Sequence, residues 1–179
     1  MSVAESERGN RIPVKVADEE SVARLVFTPS FFVDGRLGPT AFALSNNLKS
    51  GPENDISLLR MWYCDVTSKD VYDRIHPRTP GDTLSGYARL QVSGIRTIGS
   101  PNETDRINVD VLGIGGQSFH AGIQMRINEQ LVTSEYDHRA PLLLYILKRL
   151  VNLSEYIELQ GNSVEASSAH PLPIKQLQE

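Results

Sequence analysis

Apolar and polar residues alternate in three segments in the second half of the chain, and this pattern constrains the fold more than any other. Residues 84–92, 106–111 and 120–127 change from apolar to polar at every second position. A period of two is typical of a β-strand that buries one face. A polar stretch, 99–105 (GSPNETD), separates the first two segments and predicts that they form an antiparallel hairpin.

The third segment has a competing interpretation. Ile123, Ile127 and Leu131 are spaced by four residues, which also fits one face of a helix. The regular alternation over 120–127 favours the strand, with Ala121, Ile123 and Met125 facing inward and His120 outward.

The first half of the chain predicts further strands. Residues 22–27 (VARLVF) form a short apolar run, and 56–63 (ISLLRMWY) is apolar on both alternating faces, which indicates a central strand covered from two sides. Residues 40–44 are a weaker candidate strand. Between the first strand and this one, Asp34-Gly35 predicts a turn.

Two helices are predicted. Residues 67–76 offer a hydroxyl cap, Val71 and Ile75 at a spacing of four, and a stop at Pro77. Residues 141–153 begin with Pro141 and carry a broad apolar stripe formed by Leu143, Ile146, Leu147, Leu150 and Val151. Because strands and helices are grouped rather than alternating, the fold class expected is α+β, with a mainly antiparallel sheet packed by the two helices.

The ends of the chain are polar and lack a set of apolar residues to bury. We expect a flexible arm at 1–11, one domain at 12–160 and a tail at 161–179. No apolar run approaches the roughly 20 residues that a membrane span needs. The single cysteine, Cys64, gives no reason to expect an oxidising compartment, so a cytoplasmic location is expected. Because the net charge is -4, we do not expect the protein to bind nucleic acid.

Arg24 and Arg60 stand inside apolar strands, and a guanidinium group in such a place needs an anionic or carbonyl partner. One interpretation is that both arginines bind a small anionic ligand such as a phosphate or carboxylate. The other is that each reaches a strand end or pairs with a carboxylate of the protein.

A glycine-rich stretch, 113–116, follows the predicted strand 106–111. The backbone N–H groups of Gly115 and Gly116 could bind an anion, although the Lys-Ser/Thr ending of a P-loop is missing, and a plain connection between strands is the alternative. His120, at the end of this stretch, is the candidate catalytic residue, as a general base or hydrogen-bond donor.

Other signatures of chemistry are missing from the sequence. It contains no H-E-x-x-H, C-x-x-C or G-x-S-x-G motif, so we expect neither a metal site nor a cofactor.

Two functions from different classes follow. The first is a non-catalytic binding or assembly module that acts through protein–protein contacts, with a protein partner or a second copy bound through residues 141–153 and the C-terminal tail. The second is a small enzyme or nucleotide-binding or anion-binding protein in which Arg24, Arg60 and His120 converge on one pocket.

Overall fold

The computed structural model describes residues 14–44, 55–68, 71, 79–114, 119–133 and 140–159. The predicted arm 1–11, the tail 161–179 and most of the predicted helix 67–76 lie outside these ranges. The strands are β1 (Ser21–Thr28), β2 (Phe32–Val33), β3 (Arg36–Leu37), β4 (Asp55–Arg60), β5 (Thr83–Gln91), β6 (Ile107–Gly113), β7 (His120–Ile127), β8 (Gln130–Leu131) and β9 (Glu155–Glu158). The helices are α1 (Val92–Arg96), α2 (Pro141–Leu153) and a 3₁₀ helix (Pro39–Phe42).

One seven-stranded sheet has the order β6-β7-β4-β1-β5-β9, and the short β8 pairs with β7 beside this path. β2 and β3 form a separate hairpin, closed by the predicted turn at Asp34-Gly35. Every strand pairing within the described ranges is antiparallel. The protein is therefore α+β with a mainly antiparallel sheet, as the sequence predicts.

The sheet is covered on both faces, which the apolar run of 56–63 predicts for its central strand. Ile56 and Leu58 of β4 belong to the main core, with α1, α2 and the 3₁₀ helix on that face. Leu59 points to the opposite face and belongs to a second, smaller cluster of buried residues, formed by Ala23, Leu59, Val66, Val71 and Tyr87. We call these the helix face and the second face of the sheet.

The alternating pattern of the second half is confirmed as β-structure. Ala121, Ile123, Met125 and Ile127 are buried in the main core, so the strand interpretation of 120–127 is correct and the helix interpretation is wrong. β6 and β7 form a hairpin in which Val109 pairs with Met125.

The predicted hairpin between 84–92 and 106–111 is wrong. β5 pairs with β1 and β9, whereas β6 pairs with β7. The strand ends at Gln91, and Val92 begins the short helix α1, which the sequence analysis missed. Val92, Ile95 and Ile98 repeat at a helical spacing of three and are all buried, so burial of this stripe accounts for the change of direction.

Two further strand predictions differ from the structure. Residues 40–44 are no strand: Pro39 suits the first turn of a helix, and the 3₁₀ helix buries Ala41 and Phe42. β4 ends at Arg60 rather than at Tyr63, because the Arg60 carbonyl accepts hydrogen bonds from the N–H groups of Tyr63 (3.0 Å) and Cys64 (3.2 Å). These bonds fold Met61–Tyr63 into a turn, which exposes Trp62.

Helix α2 forms over the predicted residues. Its side chains Leu143, Ile146, Leu147 and Leu150 are buried in the main core, and it packs against the 3₁₀ helix. Burial of each of these side chains stabilises the fold by about 1.5–3 kcal/mol. The stripe is thus covered by the chain's own residues.

Gly86 in β5 allows a close approach of the edge strand β9. A Cβ atom at this position would lie 2.3 Å from the Ile157 carbonyl oxygen and 2.7 Å from the ring of Tyr156. The Tyr156 ring lies there in an edge-on contact with Phe32, and its hydroxyl donates to the Ser85 carbonyl (3.2 Å). Only glycine fits at this position without displacing the backbone of β9.

We therefore expect Gly86→Ala to lower the free energy of unfolding by about 1–3 kcal/mol, the usual cost of overpacking. Urea denaturation measures it. The matched control is Gly99→Ala, where an added Cβ meets nothing within 4 Å and should be close to neutral. Equal stability of the two variants would contradict the tight contact of β9 with β5.

Candidate functional site

Arg60 ends β4 on the helix face of the sheet and is 1% exposed. Its guanidinium group binds the carboxylate of Glu20, which is 2% exposed, through two bonds: Nε donates to Oε2 (2.9 Å) and Nη2 to Oε1 (2.5 Å). Nη2 also lies 3.4 Å from the Lys15 carbonyl oxygen. The ring of Tyr63 covers the guanidinium carbon at 4.6 Å. Arg60 is therefore the centre of an internal ion pair.

The carboxyl group of Glu20 is ionised in this pair. Burial on its own would raise the pKa of Glu20, but the hydrogen bonds from Arg60 and from the Ala17 N–H (3.0 Å), together with the charges of Arg60 and Arg96, lower it below the ordinary value of a glutamate. A carboxylate of the protein thus takes, through two hydrogen bonds, the place at Arg60 that one interpretation of the sequence gives to an anionic ligand.

Arg24 lies between Val22 and Val26 on the helix face of β1 and is half-buried. Its Nε donates to the Ala41 carbonyl and its Nη1 to the Ser57 carbonyl, both at 2.9 Å. Pairing of β1 with β4 is present at Val22 and Ala23. Beyond these residues Arg24 connects β1 to β4 and to the 3₁₀ helix through main-chain carbonyls.

His120 begins β7 and pairs with Leu59, so its side chain shares the second face of the sheet with Leu59. Its ring stacks on Phe119 at 4.9 Å. Burial disfavours the imidazolium form and lowers the pKa of His120. Because Arg60 follows Leu59 in β4, the side chains of His120 and Arg60 project from opposite faces of the sheet.

The glycine-rich stretch is described in part. Gly115 and Gly116 lie outside the described residues. The N–H of Gly113 donates to the Val14 carbonyl (2.9 Å), and a Cβ at Gly113 would lie 3.2 Å from Nη1 of Arg60. The structure thus brings Arg60 close to Gly113, and places Arg24 on the same face as Arg60 but His120 on the other.

A set of exposed apolar side chains lies at or next to the ends of β4 and β6 and in the segment that bridges β6, and the sequence analysis did not identify it. We call it the apolar rim: Val14, Trp62, Tyr63, Leu112 and Ile114. Leu112 and Ile114 flank Gly113 in the chain, the Val14 carbonyl accepts the Gly113 N–H, and the Tyr63 ring lies on Arg60, which approaches Gly113. Trp62 is 57% exposed. Four of these residues lie in the segments 56–63 and 106–114, and Val14 lies in neither. The sheet brings them to one end because β7 pairs with both β4 and β6.

Comparisons with protein-family models, with curated proteins and with solved structures find no match to this chain. Function must be argued from the residues. Within the described ranges, no group of His, Cys, Asp and Glu side chains could hold a metal ion, and no helix is both long and apolar enough to cross a membrane.

We expect Arg60→Met to destabilise the protein by about 3–5 kcal/mol, because it leaves the Glu20 carboxylate buried without a partner. Adding Glu20→Gln to this variant should restore part of the loss, since it removes the unpaired charge. Arg36→Met, at an exposed arginine of β3, is the control and should be nearly neutral. The measurement is denaturant unfolding of wild type, Arg60→Met, the double variant and Arg36→Met. Equal stability of Arg60→Met and Arg36→Met would contradict a structural ion pair.

The lowered pKa of Glu20 also predicts a pH dependence. A depressed carboxyl pKa contributes stability that is fully present above the ordinary glutamate pKa and is lost as the pH falls through the lowered value. The stability difference between wild type and Glu20→Gln should therefore shrink on acidification from neutral pH to about pH 3. A difference that is constant over this range would show that Glu20 is not held ionised.

Proposed function

We propose that the protein is a non-catalytic binding module that acts through protein–protein contacts at the apolar rim, with a second copy of the chain as its first partner. The observation that carries the proposal is the exposure of Val14, Trp62, Tyr63, Leu112 and Ile114 at one end of the sheet. Grouped apolar exposure of this kind marks interaction surfaces, whereas single exposed apolar residues are common.

One aromatic residue of the rim, Tyr63, is held in place by the protein. The Tyr63 ring lies on the Arg60 guanidinium, which the buried Glu20 carboxylate holds in place. Tryptophan and tyrosine dominate the binding energy of many interfaces, and an anchor that is already positioned loses little side-chain entropy on binding.

A two-fold contact between copies suits this surface. The five side chains of the rim are uncharged, so their pairing with a second rim brings no like charges together. Lys15, next to Val14, is exposed and places a charge at the border of the rim. Polar residues surround the apolar centre of many interfaces in the same way. Helix α2 offers less support for association, because its stripe is buried within the chain.

The alternative, a pocket formed by Arg24, Arg60 and His120, has less support in this geometry. Arg60 binds Glu20, Arg24 binds main-chain carbonyls, and His120 projects from the other face. A cytoplasmic location belongs to the proposal, because Cys64 is a free thiol and gives no sign of disulfide chemistry.

Sedimentation velocity over micromolar to submillimolar concentrations tests this proposal. We expect the wild-type protein to associate, and Trp62→Ser to weaken association by about tenfold or more, as loss of an aromatic anchor does. The control is Val33→Ser, which removes an equally exposed apolar side chain from the β2–β3 hairpin and should leave association unchanged. A wild-type protein that stays monomeric throughout, or equal effects of the two variants, would overturn self-association at the rim.

A further inference from the structure

A second candidate site lies at the other end of the β6–β7 hairpin, away from the apolar rim. A cleft of about 620 Å³ opens there, lined by Arg106, Ile107, Asn108, Arg126 and Glu129. Its volume lies within the range of sites that bind small molecules. Neither the proposed function nor the sequence analysis assigns a ligand to these residues.

Strand register places donors from both strands on one face. Asn108 of β6 pairs with Arg126 of β7, so their side chains leave the sheet on the same side. Arg106 precedes Asn108 by two residues and therefore shares that side. Two guanidinium groups and one carboxamide thus border the same cleft.

A tight turn holds the two arginines near each other. Asn128 and Glu129, with φ of 50° and 68°, connect β7 to β8, and the Asn128 side chain accepts a hydrogen bond from the Arg106 N–H (2.8 Å). Arg126 Nη1 donates to the Glu129 carbonyl (3.2 Å), and Arg106 Nη1 lies 3.5 Å from the Glu129 carboxylate. Both guanidinium groups therefore meet at Glu129.

The charges around the cleft do not balance. Among the described residues that line the cleft, Glu129 is the one acidic side chain, against two arginines. Asp105, next to Arg106, binds the side-chain amides of Asn102 and Asn128, each at 2.9 Å, and does not line the cleft. The Arg106–Glu129 contact is long and its side chains are both 83% exposed, so it contributes little and is easily replaced.

We propose that this cleft binds a phosphate monoester of a small polar molecule. The planar guanidinium groups of Arg106 and Arg126 present paired donors that match phosphate oxygens, and the Asn108 amide adds a further donor. The cleft is larger than a phosphate group needs, which leaves room for the organic part of the ligand beside Ile107. Glu129 competes with the ligand for Arg106.

Because Glu129 competes with the ligand for Arg106, substitution of this acidic residue should tighten binding. We expect Arg126→Gln to weaken binding of a phosphate ester by about tenfold, as loss of a charge-assisted pair does. Glu129→Gln, which keeps the length of the side chain, should strengthen it by about two- to fivefold, the usual strength of an exposed ion pair.

The experiment is a titration of the ¹⁵N-labelled full chain, followed by amide chemical shifts, with inorganic phosphate in one series and glucose 6-phosphate in the other. The expected result is saturable shifts around residues 106–108 and 126–129, with tighter binding of the ester than of free phosphate. Arg149→Gln removes an exposed cation of α2 far along the chain from the cleft and is the charge control. Unchanged amide spectra away from the substituted position show that each variant is folded.

Three results would overturn the site: shifts that do not saturate with either probe, an Arg149→Gln effect equal to that of Arg126→Gln, or an affinity that Glu129→Gln leaves unchanged. Trp62→Ser should leave phosphate affinity as in wild type. The site and the proposed function at the rim can therefore fail independently.

Discussion

The buried ion pair of Glu20 with Arg60 lies where segment 14–20, the end of β4 and the start of α1 come together. Glu20 immediately precedes β1, and Arg60 is the last residue of β4. The carbonyl of Glu20 accepts the N–H of Val92 at the start of α1, and Arg60 reaches the Lys15 carbonyl, next to the bridge between Lys15 and Leu112 of β6. Through their side chains and the Glu20 carbonyl, these two residues contact segment 14–20 and the start of α1, and they lie beside the bridge to the edge strand.

A second arginine extends this arrangement at the surface. Arg96 of α1 binds Asp18 and Asp110, and its Nη2 donates to the Val111 carbonyl on the edge of β6 (3.1 Å). The edge of β6 is thus occupied by side chains and by segment 14–20, which blocks pairing with another sheet there. The arginines of the apolar strands, Arg24 and Arg60, thus connect different segments of the same chain.

The sequence predicts the elements of this fold correctly where apolar residues recur at a regular period. The prediction fails where one alternating run is divided between two elements. β6, β7 and α2 follow from period alone, since each buries one continuous face. Gln91 and Val92 belong to the same alternating run, yet one ends β5 and the other begins α1. Arg60 can be recognised as a buried cation from its apolar neighbours, whereas Glu20, 40 residues away, stands in a polar stretch that gives no sign of burial. Likewise the Arg106–Arg126 cleft depends on strand register, which single segments do not reveal.

The strand order has a consequence for synthesis of the chain. β1 lies between β4 and β5, so during synthesis it waits for two partners that are made later, and its neighbour β5 also pairs with β9 near residue 155. Non-local pairing of this kind folds slowly and leaves apolar strands unpaired in the meantime. Val22 and Val26, which are fully buried in the folded protein, are therefore exposed in the nascent chain until β4 and β5 have been made.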